Sequence, residues 1–75
     1  MELTKQEQNY LVKVGENIKK YRNLTGLSQD KFALKCKLDR TYISSIERGG
    51  RNVSLLNLRK IAKACGVSPS DLLNY

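Results

Sequence analysis

The sequence predicts an all-α domain of five helices, and three observations predict it. Apolar residues recur at spacings of three and four along the chain, and no stretch alternates with the period of two that a half-buried strand requires. Ser, Thr or Asp stands just before each periodic segment, where its side-chain oxygen can accept from the unpaired N–H groups of a helix start. Gly follows the first, third and fourth segments, where a left-handed residue ends a helix without steric strain. With 75 residues there is room for one domain, spanning 1–75, and for a thin core.

Taken in order, Thr4 and Glu7 form a capping box. The first helix after it carries Leu11, Val14, Ile18 and Tyr21 on one face, and Gly26 ends it. Ser28 caps a second helix over 29–36, with Phe32, Ala33 and Cys36 inward. After the short connection Lys37-Leu38-Asp39, Asp39 caps a third helix over 40–48, with Ile43 and Ile46 inward, and Gly49 and Gly50 stop it. Ser54 caps a fourth, whose inward positions are Leu55, Leu58, Ile61, Ala62 and Cys65, before Gly66. Ser68, with Pro69 at the first helical position and Asp71 at the third, opens a short fifth helix. Leu72 and Leu73 are adjacent, so a short helix cannot bury both, and Leu73 is expected to face outward. Leu56 points away from the inner face of the fourth helix. With Tyr75 at the terminus, these residues predict a self-complementary apolar patch and a homodimer.

Fourteen Lys and Arg against seven Asp and Glu, with no His, leave a net charge of +7. Such a surface favours polyanions, nucleic acid first. The absence of His, of a nucleophile beside a base and of a Gly-rich phosphate loop argues against an enzyme and against a bound cofactor. Cys36 and Cys65 alone cannot supply the four ligands of a structural zinc, so no metal is expected. Each lies on an apolar helix face, beside Ala33 and Ala62, and reads as a buried free thiol of a reducing compartment. No apolar run is long enough to span a membrane, and the N-terminus lacks a signal-peptide pattern, so a cytoplasmic protein is expected. The basic residues are spread over several helices, which argues against a membrane-surface peptide.

The segments 29–36 and 40–48, joined by about three residues, have the form of a helix-turn-helix. Reading DNA requires that the second helix be anchored on its inner face, be small and polar on its outer face, and carry base-reading side chains in its first turn. Ile43 and Ile46 meet the first requirement, and Thr41, Ser44, Ser45 and Arg48 the second. Arg40, Thr41 and Tyr42 meet the third, with Arg40 able to fork onto guanine O6 and N7. Tyr42 can equally pack beside Ile46, and Ser44 and Ser45 can serve simply by being small.

The runs Gly26-Leu27-Ser28-Gln29, Phe32-Ala33 and Ile43-Ser44-Ser45-Ile46-Glu47-Arg48-Gly49 resemble the phage-repressor type of helix-turn-helix, from about Ile18 to Leu73. Leu38-Asp39-Arg40-Thr41-Tyr42-Ile43-Ser44 with Arg51-Asn52 is similar to the controller proteins of restriction–modification systems. The resemblance implies a five-helix lambda-repressor-like fold and a small homodimer on palindromic double-stranded operator DNA. Such proteins activate, and at higher occupancy repress, their own operon, which implies RNA polymerase as a further partner. It also implies that Ser28 and Gln29 hold a phosphate, that Arg40, Thr41 and Tyr42 face bases or flanking phosphates, and that Arg51, Asn52 and Asn57 grip backbone or base edges. Glu47, an acid on the reading helix, is implied to pair with Arg22 as a structural salt bridge. Two positions depart from the pattern. Lys37 stands where the family has Gly, so a left-handed Lys or a distorted turn is expected, and Leu56 stands where a polar residue is usual. Phage and plasmid repressors share the fold, as do antitoxins that neutralise a toxin. An antitoxin commonly carries an extra binding segment, and none is expected outside the five helices.

Overall fold

A computed structural model describes residues 2–75. Its elements are α1 (Lys5–Thr25), α2 (Gln29–Cys36), α3 (Arg40–Glu47), α4 (Leu55–Cys65) and α5 (Pro69–Leu73). Local chemistry sets each start. Thr4 N–H donates to Glu7 Oε1 at 2.8 Å while Thr4 Oγ1 accepts from Glu7 N–H at 3.0 Å, the reciprocal pair of a capping box. Ser28, Asp39 and Ser54 accept from the N–H groups of Lys31, Thr41 and Asn57 at 3.3, 3.0 and 3.2 Å. At α5, Asp71 Oδ2 reaches back to accept from Ser68 N–H at 3.0 Å.

The turn between α2 and α3 answers the question posed by Lys37. Its φ and ψ are 59° and 41°, so the lysine itself takes the left-handed conformation. Its N–H donates to Leu34 O at 3.1 Å and that of Leu38 to Ala33 O at 3.0 Å, which closes the end of α2 without glycine.

The five helices enclose one core. Phe32, Ile18, Ile43, Ile46, Ile61 and Leu72 are its largest fully buried side chains, with every helix contributing. The long α1 packs on α3, α4 and α5, while α2 bridges α3 and α4. Gly15 is what lets α1 meet the end of α3, because a Cβ there would overlap the carbonyl oxygen of Ile46. Gly49 is held similarly, 2.6 Å from Val12 Cγ2 for an added Cβ, at a φ of 77°.

Two inward expectations on α4 are corrected. Leu55 is 83% exposed rather than buried, and Cys65 is only half-buried, while Ala64 is buried. The buried arc of α4 centres on Leu58, Ile61 and Ala62 and extends to Ala64, which lines a groove together with Cys36 of α2. Leu55 lies on the opposite flank in the first turn of the helix. On α1, Leu11 and Tyr21 are half-buried, and two polar residues go inside, Asn17 and Arg22. Asn17 Nδ2 donates to the carbonyls of Leu72 at 2.8 Å and Asp71 at 3.1 Å, tying the end of α5 to α1. Neither cysteine is in a disulfide. Burial, with Cys65 nearby, pushes the Cys36 thiol up to about 11. No helix among the described residues is long and apolar enough to cross a membrane.

Candidate nucleic-acid interface

Three residues, 37–39, separate α2 from α3, and α3 is anchored on one face by buried Ile43, Ile46 and Glu47. Its other face presents exposed Arg40, Thr41 and Arg48 with half-buried Ser44 and Ser45 between them. The Arg48 Nη1 group donates to Ser44 Oγ at 2.7 Å, one turn back, which lays the guanidinium along the helix. Short side chains at Ser44 and Ser45 keep this face low enough for a groove wall to approach.

Glu47 explains how an acid fits a basic surface. Its carboxylate faces inward and accepts from Arg22 Nε at 2.6 Å and Arg22 Nη2 at 3.1 Å. The pair is buried, and the third guanidinium nitrogen, Nη1, donates to Leu27 O at 2.9 Å. Gln29 Nε2 completes the cluster with a 2.9 Å bond to Glu47 Oε1. One carboxylate thus fixes the end of α1, the start of α2 and the end of α3 relative to one another. Gln29, read from the resemblance as a phosphate ligand, spends one of its two amide hydrogens on this cluster. Ser28 is exposed and uses its hydroxyl oxygen as the cap of α2.

Tyr42 packs against the core, as one of its two readings has it. Its ring is half-buried against the core, and its hydroxyl accepts from Asn57 Nδ2 at 3.0 Å. The Arg51 guanidinium lies 5.5 Å from the ring centroid, in cation–π range. Arg51, Tyr42 and Asn57 therefore form one unit that joins α3 to the loop and start of α4. Asn52 is exposed and stands apart, in a groove it shares with Leu3, Gln6 and Tyr10 at the start of α1. Arg40, at the first position of α3, forms an ion pair with Asp30 of α2 at 3.1 Å.

The proposed pairing residues are all exposed: Leu56 by 72%, Leu73 by 39% and Tyr75 by 56%. Leu55 joins them on α4. Tyr75 also packs within its own chain, 6.1 Å from the Tyr10 ring and 5.8 Å from Lys13 Nζ. Sequence reasoning passed over Asn17, Asp30 and Gln29's bond to Glu47. Asn17 carried a signal, a polar residue at an interior register of α1. Asp30 carried none beyond its acid in a first turn, which a helix dipole explains by itself.

The sequence profile of the helix-turn-helix family HTH_3 matches residues 18–72. The chain belongs to this helix-turn-helix family. Among its relatives is control protein C.BamHI of Bacillus amyloliquefaciens, 53% identical over 62 residues, 81% of this chain and 76% of that protein. The crystal structure of restriction–modification controller protein C.AhdI from Aeromonas hydrophila superposes with a TM-score of 0.81 at 45% identity, covering 83% of this chain and 94% of that one. Controller protein C.Esp1396I, solved as a tetramer with its natural 35 base-pair operator, superposes with a TM-score of 0.77 at 43% identity, over 87% of this chain and 86% of that one. The helix-turn-helix of this family is thus α2 and α3, with α1, α4 and α5 as its support.

Proposed function

We propose that this protein is the autoregulatory controller of a restriction–modification operon, binding palindromic operator DNA as a homodimer in the cytoplasm. The observation that carries the reading is the outer face of α3: small and polar, headed by Arg40, and fixed from behind by the buried Arg22–Glu47 pair. Similarity to control proteins at about half identity over most of both chains supports the restriction–modification setting.

In the mechanism we infer, all of 1–75 acts as one DNA-binding domain. The N–H groups at the start of α2, with Ser28 and the remaining amide hydrogen of Gln29, hold a phosphate. Beyond α3, Arg51 and Asn52 hold the opposite backbone, so that α3 enters the major groove between them. Tyr42 and Asn57 set the position of Arg51 through the bonds described above. Arg40 and Thr41 read base edges, while Ser44 and Ser45 permit close approach and Arg48 adds charge along the groove. Two copies, joined through Leu73 with Leu56 and Tyr75, double the length of site read. A dimer placed upstream of a promoter activates by touching RNA polymerase, and it represses when further copies cover the start site.

Footprinting on the DNA upstream of the protein's own reading frame tests this. Two protected half-sites centred one helical turn apart, ~34 Å, are expected. Equal affinity for that DNA and for a scrambled duplex of the same length would overturn the reading.

A further inference from the structure

Two acids flank Arg40, and they do different things. Asp39 is turned toward the backbone, where its Oδ2 caps α3 through Thr41 N–H at 3.0 Å. Asp30 reaches across from α2, and its Oδ1 lies 3.1 Å from Arg40 Nε. The pair spans a shallow groove whose floor includes Ala33, Leu34 and Leu38, so the Arg40 stem crosses from the start of α3 toward α2. Both side chains are exposed, Arg40 by 63% and Asp30 by 72%. An ion pair so open to solvent contributes little to folding. An acid beside a DNA-reading face also lowers affinity, since it repels phosphate.

The charge of Asp30 is the informative part. A guanidinium has five N–H donors in a planar fork, two of which can fork onto guanine O6 and N7. The Asp30 carboxylate attracts the Arg40 guanidinium toward α2 as an ion pair, without a directed hydrogen bond between them. A long side chain drawn to one place before binding loses less freedom when it docks on a base. The same carboxylate penalises any register in which no base compensates for its charge, and selectivity comes from such penalties as well as from contacts.

We propose that Asp30 is a specificity-determining positioning residue: its carboxylate, paired with Arg40 across the groove between α2 and α3, draws the guanidinium to one place from which it is presented to one base pair in each half-site. The inference rests on the reading of Arg40 as a base contact. It predicts that Asp30 raises discrimination while lowering affinity for DNA in general, opposite effects that a structural role for Asp30 cannot produce.

The test is selection from a duplex pool with a randomised centre, sequenced after binding, together with direct titration of the selected site and of scrambled DNA at one salt concentration. Wild type, Asp30→Asn, Asp30→Glu, Arg40→Ala and the Asp30→Asn/Arg40→Ala double variant are compared. Asp30→Asn is expected to bind scrambled DNA as tightly as wild type or several-fold tighter. Its preference at one symmetric pair of positions should fall about 3- to 10-fold, and Asp30→Glu should restore part of that preference. In the Arg40→Ala background, Asp30→Asn should leave the preference unchanged. Parallel losses on selected and scrambled DNA, or the same loss of preference with and without Arg40, would overturn the proposal and reduce Asp30 to a helix-start residue. If Arg40→Ala leaves every position's preference intact, the reading of Arg40 itself fails. If Arg40→Ala relaxes one position and Asp30→Asn does not, only the role of Asp30 fails.

Discussion

Glu47→Ala removes a group that three hydrogen bonds converge on: Arg22 Nε at 2.6 Å, Arg22 Nη2 at 3.1 Å and Gln29 Nε2 at 2.9 Å. What matters more is what stays behind. The Arg22 side chain is 9% exposed, and without the carboxylate its charge is buried with one carbonyl, Leu27 O, as its remaining partner. Leaving one member of a buried pair uncompensated costs about 3–5 kcal/mol. A 75-residue domain holds roughly 4–11 kcal/mol in total, from about 0.05–0.15 per residue. The variant is therefore expected to lose a large share of its stability, with a fall in Tm on the order of 20 °C. Urea titration followed by circular dichroism measures the loss at 25 °C. The double variant Arg22→Leu/Glu47→Leu removes both charges and should be no less stable than Glu47→Ala, because no unpaired charge remains. A loss under about 1 kcal/mol for Glu47→Ala, or additive losses in the double variant, would refute the buried-pair reasoning.

Four other outcomes follow from particular contacts. Gly15→Ala, which in an exposed helix would stabilise by up to about 1 kcal/mol, should instead destabilise by at least about 1–3 kcal/mol, because its Cβ meets the Ile46 carbonyl; a raised Tm would show that α1 and α3 can part freely. Replacing Arg48 or Arg51 by Gln should lower the slope of log affinity against log salt by roughly one per subunit contact, and an unchanged slope for both would move the phosphate contacts elsewhere. Leu73→Glu places a charge on the apolar patch of α5 and should give a helical monomer with weak operator binding; sedimentation of an intact dimer at micromolar concentration would put the interface elsewhere. Burial raises Cys36 from an ordinary 9.0 to about 11, so the folded state retains a thiol proton that the unfolded state releases. Its contribution is complete below pH 9 and is lost as pH rises through 11; a Cys36→Ala variant with the same alkaline stability profile as wild type would assign any loss there to other groups.

Local chemistry made most of the fold legible from sequence. Caps act within three residues and left-handed glycines act at one, so Thr4, Ser28, Asp39, Ser54 and Gly66 mark helix ends wherever the chain folds. The period of apolar residues made Ile18, Phe32, Ile43 and Ile61 core positions, and motif resemblance extended the reading to Arg22 with Glu47. Tertiary packing decided the rest. Periodicity defines a face but not which neighbours cover its edges, so Leu55 reads as inward from sequence yet is exposed, while Ala64, on the other flank of α4, is buried. Long-range polar partners leave no local trace either: Asn17 meets α5 54 and 55 residues away, and Gln29 meets Glu47 18 residues away. Arg40 was legible as a candidate reader by its place at the start of α3. That it pairs with Asp30 was not, because an ion pair between two helices depends on the angle at which the turn at Lys37 sets them, and that angle is a property of the packed structure.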